Sequence, residues 1–347
     1  MLTRRSLLAG LGGTAAMLAA PAIPAASPGS PASPRPPRLR EGDTLGLVAP
    51  AGFIADRFGI AEIEDAVRAM GLVPRSAPHM LDREGYLAGS DATRARDLTA
   101  MFADPEVRAI MAVRGGWGCA RILPHLDFAV IRAHPKLLVG SSDVTALHLA
   151  LAARTGIPSI HGPNAAASWP PAAWQSFHDV AFDAATPTYA VPQGLAGGLG
   201  RTAGRVRTFR SGKARGRLLG GNLSVLSALV GTPYLPDFSG AILFLEDTNE
   251  AEYRIDRMLT QLALAGILGK VAGVVFGQCT NCENPGPSFG NFTVYEVLDR
   301  QFADLRVPAF QGALIGHIAS QVSIPVGVMA EIDADTGMIH LLEPAVA

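Results

Sequence analysis

The chain has 347 residues, of which 48% are hydrophobic and 17% are charged, so it is not a disordered chain and can bury the cores of about two domains. Its 29 basic and 30 acidic residues are dispersed along the sequence, which argues against a nucleic-acid-binding surface. Three cysteines are too few for a small fold held together by disulfides.

The N-terminus has the features of an export signal. Arg4 and Arg5 precede a short run of apolar, glycine and alanine residues, which ends in small residues suited to cleavage. Paired arginines in this position are typical of the twin-arginine export route. We therefore expect an export signal at residues 1–26, a proline- and serine-rich tether at residues 27–38, and a processed protein that is periplasmic and not membrane-bound.

Short apolar strands alternate with helical patterns in the first half of the chain. The strands are predicted within residues 42–50, 72–76, 109–113 and 137–140, and the helices at residues 57–70, 91–102 and 144–154. This alternation indicates a parallel sheet with helices on both faces, whose ligands bind beyond the carboxyl ends of the strands. We therefore predict an N-terminal doubly wound α/β domain at residues 39–166.

The second half of the chain begins with a weaker pattern. Residues 167–214 are rich in proline and glycine, and we interpret them as an irregular linker. Strands and helices then alternate again, and the last residues alternate apolar and polar side chains around the turn Asp335-Thr336-Gly337, as an antiparallel hairpin does. The prediction is a smaller, mixed α/β C-terminal domain at residues 215–347.

Two of the three cysteines are close in sequence. Cys279 and Cys282 have the spacing of a redox motif or of half a zinc site. No second pair of ligands with a matching spacing occurs in the sequence, so we expect no metal site. We interpret the two residues as a loop pair that can form a disulfide in an exported protein.

Ser142 lies where the predicted strand at 137–140 turns directly into a helix. Such a turn exposes a side chain and points helix amides at its ligand. The segment Gly140-Ser141-Ser142-Asp143 keeps the first glycine of a nucleophile elbow but lacks the last one. Ser142 or Asp143 could instead cap the helix, and the local sequence favours the cap.

A serine nucleophile needs a base, and two histidines follow predicted strands. His317 comes after an apolar strand that ends in Gly316, and His161 precedes Gly-Pro, so we expect it to line a cleft. Glu246 directly follows another buried strand, where a carboxylate requires a partner. That partner is either an arginine in a structural ion pair, Arg254 or Arg257, or a histidine that Glu246 orients; nothing local decides.

Several short motifs occur in order along most of the chain. They are GDTLGLVAPA at 42–51, YLAGSD at 86–91, RGGWGCAR at 114–121, PKLLVGSSDVTAL at 135–147, HGP at 161–163, GRLLGGNL at 216–223, LEDT at 245–248 with YRIDR at 253–257, IGH at 315–317 and IPVG at 324–327. In this order and spacing they resemble the LD-carboxypeptidase (murein tetrapeptidase) family of serine peptidases, which also contains microcin-immunity peptidases.

The resemblance implies a catalytic triad. Ser142 matches the nucleophile of the family, Glu246 matches the residue that orients the histidine, and His317 matches the base. Ser141 stands where the family usually has an aromatic residue, and Trp117 replaces a common tyrosine. Neither change affects a triad position.

The same mechanism requires an oxyanion hole and a surface for the substrate. We expect the backbone N–H groups of Gly116 and Asp143 to bind the oxyanion, and Gly115, Trp117 and His161 to contact the substrate. No cofactor is implied. Because the nucleophile lies in the predicted first domain and its two partners in the second, the active site is expected in the cleft between domains.

The implied reaction is hydrolysis of the bond between an L-centre and the terminal D-alanine of a murein tetrapeptide, so the partner is a small muropeptide. One alternative is a microcin-immunity hydrolase that cleaves peptidyl or aminoacyl sulfamoyl-adenylates. Another is an exported binding protein that captures muropeptides without cleaving them. Cys119 is a further, less favoured nucleophile, and a homodimer is left open.

Overall fold

The computed structural model describes residues 35–191, 206–282 and 292–347. The predicted export signal at 1–26 and residues 27–34 of the predicted tether lie outside the described residues. The described chain is a mixed α/β structure with two sheets, which confirms the predicted fold class. In the part of the chain that the structure describes, no helix is long and apolar enough to cross a membrane.

Fourteen strands occur in the described residues, and most follow the apolar segments of the sequence. In chain order they are β1 (Thr44–Val48), β2 (Val73–Ser76), β3 (Val107–Ala112), β4 (Leu137–Gly140), β5 (Ser159–His161), β6 (Thr188–Tyr189), β7 (Arg207–Arg210), β8 (Lys213–Asn222), β9 (Ile242–Thr248), β10 (Gly273–Thr280), β11 (Ala309–Gln311), β12 (Ile324–Val326), β13 (Met329–Asp333) and β14 (Met338–Leu341).

The described helices are mostly amphipathic. They are α1 (Arg57–Ala69), α2 (Asp91–Ala103), α3 (Cys119–Ile122), α4 (Phe128–Ala133), α5 (Thr145–Arg154), α6 (Pro171–Ala181), α7 (Leu223–Ala228), α8 (Glu252–Leu264) and α9 (Val294–Phe302). Side chains fix several starts: Ser90 accepts a hydrogen bond from the N–H of Thr93 at α2, and Asn222 accepts one from Val225 at α7. Two short 3-10 helices, Leu123–His125 and Ser142–Val144, precede α4 and α5.

The first sheet has the strand order β12-β5-β4-β3-β1-β2. Its five strands from the first half of the chain are mutually parallel, as the alternating pattern predicts. The sixth, β12, comes from the second half and pairs antiparallel with β5. Gly140 at the end of β4 lies beside His161 at the end of β5, so both residues reach the carboxyl edge of this sheet.

The second sheet has the order β6-β14-β13-β8-β9-β10-β11-β7. Its centre, β8 to β11, is parallel, and antiparallel strands flank it on both sides. The predicted terminal hairpin is confirmed, because β13 and β14 pair from Asp333 with Met338 onwards. In the centre, Asn222 on β8 lies beside Glu246 on β9. The second sheet thus also brings polar side chains to the carboxyl ends of its strands.

The expectation that residues 167–214 form an irregular linker is wrong for the described part of that segment. Helix α6 and strands β6 and β7 fall within it, and β8 begins there. The helix was missed because two prolines, Pro170 and Pro171, suggest a loop, although proline fits the first turn of a helix. Its buried Ala173, Phe177 and Val180 have helical spacing.

Candidate active site

Ser142 occupies a sharp turn between β4 and α5. Its φ angle is 62°, in the left-handed region that non-glycine residues rarely adopt and that costs about 1–3 kcal/mol. The turn is held from the side, because the N–H of Ser141 donates to Oδ1 of Asn164 at 3.1 Å and Nδ2 of Asn164 donates to Ser141 Oγ at 3.2 Å. A strained serine between strand and helix has the geometry of a nucleophile elbow.

Helix capping does not account for this turn. Ser141 precedes the 3-10 helix and makes no side-chain cap. Asp143 uses its carboxylate elsewhere, since Oδ2 accepts a hydrogen bond from the N–H of Cys119 at 2.7 Å. That bond joins the turn to the start of α3. Neither the 3-10 helix nor α5 has a side-chain cap, so the interpretation of Ser142 or Asp143 as a helix cap, which the local sequence favoured, is wrong.

The glycine-rich loop after β3 packs directly against Ser142. A Cβ added at Gly115 would lie 2.9 Å from Ser142 Cβ and 3.2 Å from its Oγ, so only glycine fits without a shift. The same point is 3.3 Å from the N–H nitrogen of Asp143. Gly116 follows with a φ of 120°, and Trp117 is 47% exposed. The two predicted oxyanion donors, Gly116 and Asp143, thus belong to segments that meet at Ser142.

Cys119 is not poised to act as a nucleophile. Its side chain is fully buried, and that burial, together with the charge of the adjacent Asp143, raises the pKa of the thiol well above its usual range. The reactive thiolate is therefore scarce at neutral pH. Burial also raises the pKa of Asp143.

Glu246 and His317 form a hydrogen-bonded pair. Glu246 is 0% exposed, and its Oε2 accepts a hydrogen bond from Nδ1 of His317 at 2.8 Å. This bond fixes the tautomer, because a carboxylate can only accept, and it leaves Nε2 as the nitrogen that can take a proton. Neither arginine considered as the partner of Glu246 pairs with it, because Arg254 reaches Glu250 at 3.5 Å and Arg257 lies over the ring of Tyr253.

The pair has the electrostatics of a general base. Burial by itself lowers the pKa of His317, but the hydrogen bond and charge of Glu246, with the charge of Asp247, outweigh it and raise that pKa above 6.5. Asp247 is itself buried, which raises its pKa to about 6. Its carboxylate accepts hydrogen bonds from Asn222 Nδ2 at 3.1 Å and from Ser224 Oγ at 2.8 Å.

A chain of contacts connects the Ser142 turn to the Glu246 strand. Thr145, three residues after Ser142, accepts a hydrogen bond at Oγ1 from the N–H of Asn222 at 2.9 Å. A Cβ at Gly221 would lie 2.7 Å from Thr145 Cγ2, so a glycine permits this close approach. Asn222 is the neighbour of Glu246 across β8 and β9. These contacts connect the start of α5, just after Ser142, with the carboxyl ends of β8 and β9, where Glu246 lies.

His161 does not line the cleft, which corrects the expectation that it contacts the substrate. Its side chain is 0% exposed, with its ring centroid 5.7 Å from that of Phe244 and 6.2 Å from that of His148. Burial lowers its pKa to about 4. The short strand β5 carries it inward between two neighbouring strands, β4 and β12, an arrangement that local sequence cannot reveal.

His148 is a site residue that sequence reasoning missed. It lies on α5, where Nε2 donates to the carbonyl oxygen of Gly140 at 2.9 Å and Nδ1 accepts from Ser159 Oγ at 2.8 Å. It therefore fixes the end of β4, two residues before Ser142. The sequence signal for His148 is its position among the apolar residues of a short helix, three residues after Thr145, which indicates a buried histidine close to the Ser142 turn.

Cys279 and Cys282 form a disulfide with a Cα–Cα distance of 5.4 Å; Cys279 lies in β10, and only Cys282 lies beyond the end of that strand. The disulfide loop, residues 279–282, contacts the candidate base, since Thr280 Oγ1 donates to the carbonyl oxygen of His317 at 3.0 Å. The loop therefore supports the backbone that carries the imidazole.

Comparison with known proteins identifies the family. Residues 45–162 match the LD-carboxypeptidase N-terminal domain, and residues 215–332 match the LD-carboxypeptidase C-terminal domain. A Streptomyces coelicolor protein named as a carboxypeptidase is 41% identical over 318 residues, which cover 89% of this chain and 96% of that protein. The chain therefore belongs to the LD-carboxypeptidase family, and the predicted resemblance is confirmed. Its general class is that of the serine carboxypeptidases.

Other relatives carry more specific names. A Bacillus subtilis protein named as a murein peptide carboxypeptidase is 35% identical over 300 residues, covering 85% of this chain and 90% of that protein. The microcin C7 self-immunity protein of Escherichia coli is 28% identical over 279 residues, covering 74% of this chain and 80% of that protein. The muramoyltetrapeptide carboxypeptidase of Oxalobacter formigenes has a similar solved structure, with a TM-score of 0.73, 28% identity, and coverage of 86% and 97%.

Proposed function

We propose that this protein is a periplasmic serine carboxypeptidase that hydrolyses the bond to the terminal D-alanine of murein tetrapeptides. The observation that carries the proposal is the 2.8 Å hydrogen bond from His317 Nδ1 to the buried Glu246, which leaves Nε2 as proton acceptor. The murein-related names of two relatives support the substrate class. The disulfide at Cys279 and Cys282 is compatible with an oxidising compartment outside the cytoplasm.

In the proposed reaction, Ser142 Oγ attacks the scissile carbonyl carbon while Nε2 of His317 takes the hydroxyl proton. Glu246 holds the imidazole and stabilises its charged form. Backbone N–H groups of Gly116 and Asp143 bind the oxyanion, and loss of one such donor costs about 3–4 kcal/mol of barrier. Collapse breaks the C–N bond, and His317 returns its proton to the leaving D-alanine amine.

The second half of the reaction frees the serine. The acyl group, now a tripeptide ester of Ser142, is attacked by a water molecule whose proton passes to His317. The C–O bond to the enzyme breaks, and the proton returns to Ser142 Oγ. The close fit of Gly115 against Ser142 allows the substrate carbonyl to approach the loop backbone.

The test is release of D-alanine from a purified murein tetrapeptide, followed by mass spectrometry. We expect the wild-type protein to release D-alanine and Ser142→Ala to lose at least about 10³-fold of the rate. Ser141→Ala is the matched comparison, because it removes a neighbouring hydroxyl from the same turn; loss of the contact with Asn164 should lower the rate far less than loss of the Ser142 hydroxyl. Equal rates for wild type and Ser142→Ala would remove Ser142 from the mechanism.

The microcin-immunity relative supports a second candidate function, hydrolysis of aminoacyl sulfamoyl-adenylates. The same assay, run with an aminoacyl sulfamoyl-adenosine, separates the two candidates. Turnover of this compound without release of D-alanine from the tetrapeptide would favour the immunity-type substrate. Binding of the tetrapeptide without turnover of either compound would favour the muropeptide-binding protein.

A further inference from the structure

We propose that His161 is a positioning residue for the Glu246–His317 pair, whose neutral imidazole supplies an N–H, through one buried water, to the second carboxylate oxygen of Glu246. The role within catalysis rests on the proposed function. The geometric claim concerns only Glu246, His317 and His161, and can be measured without any substrate.

The first observation is the state of the Glu246 carboxylate. Oε2 is bound by His317, whereas Oε1 is buried and has no hydrogen-bond partner among the described residues. A carboxylate can accept about four hydrogen bonds, and a buried oxygen left without one destabilises the folded state. Glu246 therefore requires a donor on the side away from His317.

The second observation is where the ring of His161 lies. Its centroid is 5.7 Å from that of Phe244, which precedes Glu246 by two residues on β9 and so shares its face of the sheet. The charges of Glu246 and His317 both act on this ring. His161 and Glu246 therefore face the same buried space, behind the pair that would carry out the chemistry.

The third observation is that His161 has unused hydrogen-bonding capacity. Both Nδ1 and Nε2 are buried, and neither has a partner in the described parts of the chain. Two sets of buried polar atoms that face one space are the usual setting for a bridging water, which satisfies groups on both sides. In this arrangement a ring N–H of His161 donates to the water, and the water donates to Oε1 of Glu246, which can only accept.

The effect of a His161 donor on the proton affinity of the Glu246–His317 pair depends on the other titratable groups nearby. Asp247 on β9 acts on both members of the pair, and Glu246 and His317 both act on His161 on β5. His148 on α5 lies beside His161, with 6.2 Å between the ring centroids. Burial keeps His161 and His148 neutral at pH 7, so His161 adds a hydrogen bond without adding a charge. A donor to Glu246 lowers the affinity of the Glu246–His317 pair for a proton, because it stabilises the carboxylate.

The test compares two substitutions that separate hydrogen bonding from packing. His161→Phe keeps an aromatic ring and removes both nitrogens, whereas His161→Asn retains an N–H donor in a smaller side chain. The pKa of His317 is measured by NMR titration of protein labelled with ¹⁵N-histidine, with the signal assigned from His317→Gln. His134→Phe, at an exposed position on the end of α4, is the matched control.

We expect His161→Phe to raise the pKa of His317 by about half to one unit and His161→Asn to restore much of the difference. In the D-alanine assay, His161→Phe should lower kcat by about 10-fold with little change in KM, because Glu246 is less well held. His134→Phe should change neither quantity.

An unmoved His317 pKa in folded His161→Phe would overturn the proposal, as would equal behaviour of the phenylalanine and asparagine variants. Thermal unfolding of each variant shows whether the fold is intact. If the NMR result holds while the wild-type protein releases no D-alanine, the proposed function fails and the positioning role of His161 stands.

Discussion

At the scale of single residues, the site contains positions where the backbone conformation or the lack of space restricts which residue can occur. Ser142 has a left-handed φ, and Gly115 leaves no room for a Cβ beside it. The local sequence placed Ser142 at a strand-to-helix turn and Glu246 after a buried strand, but only the resemblance to the family implied that Ser142 is the nucleophile and that Glu246 orients the base. The local pattern could not decide which partner Glu246 would have, because an arginine and a histidine were both compatible with it, whereas the resemblance implied His317.

The pKa of His317 leads to a prediction about pH. A general base must be neutral, and the hydrogen bond from His317 to Glu246 raises the pKa of the imidazole above 6.5 despite burial. We therefore expect kcat/KM for D-alanine release to rise with pH through an apparent pKa above 6.5, and to fall steadily in more acidic solution. The measurement is a pH–rate profile at low substrate concentration.

Asp247→Asn supplies a control for this profile. It removes a negative charge that raises the pKa of His317, so the acid limb should move to lower pH. Asp299→Asn, at an exposed position on α9, removes the same charge elsewhere and should leave the profile unchanged. An acid limb that Asp247→Asn leaves unmoved would contradict the assignment of His317 as the base that the profile reports.

At the scale of elements, the disulfide loop, residues 279–282 at the end of β10, supports the candidate base. The disulfide between Cys279 and Cys282 closes a short ring, and Thr280 within it donates to the carbonyl oxygen of His317. We expect Cys279→Ser/Cys282→Ser to lower the free energy of unfolding by about 2 kcal/mol and to lower kcat several-fold with little change in KM. Denaturant unfolding and steady-state kinetics measure the two effects.

Thr280→Val separates the two roles of this loop. It removes the hydroxyl that holds His317 and keeps the disulfide, so it should reproduce the loss in kcat while retaining most of the stability. If the double serine variant has the kcat of the wild-type protein, the loop does not support the base.

At the scale of the whole molecule, residues 345–347 contact the first described residues of the chain. The N–H of Arg38 donates to the carbonyl oxygen of Ala347, and the N–H of Ala347 donates to that of Pro36. Ala345 and Val346, which precede Ala347, are fully buried. Deletion of residues 345–347 should therefore lower the free energy of unfolding by at least about 2 kcal/mol, because a buried valine and two backbone hydrogen bonds are lost.

Thermal unfolding measures this effect, and D-alanine release per folded molecule should remain close to that of the wild-type protein. Leu342→Ala is a useful comparison, since that side chain is exposed and its loss should cost little stability. An unchanged melting temperature after the deletion would show that the terminal contacts do not stabilise the fold.

The sequence by itself determined the periodic parts of this protein. Strands such as β4 and helices such as α1 and α8 follow apolar spacing, which depends only on the repeat of the backbone. The order of the short motifs determined the family. The division into an N-terminal domain at 39–166 and a C-terminal domain at 215–347 remains a prediction, as do the export signal and the homodimer.

Only the tertiary structure decided which distant residues meet. It placed β12 from the second half of the chain at the edge of the first sheet, buried His161 behind the candidate site, and paired Glu246 with His317 across 71 positions of sequence. The physical reason is that strand pairing and burial depend on all the elements that pack together. A local pattern states that Glu246 needs a partner, whereas the packing of the two sheets selects it.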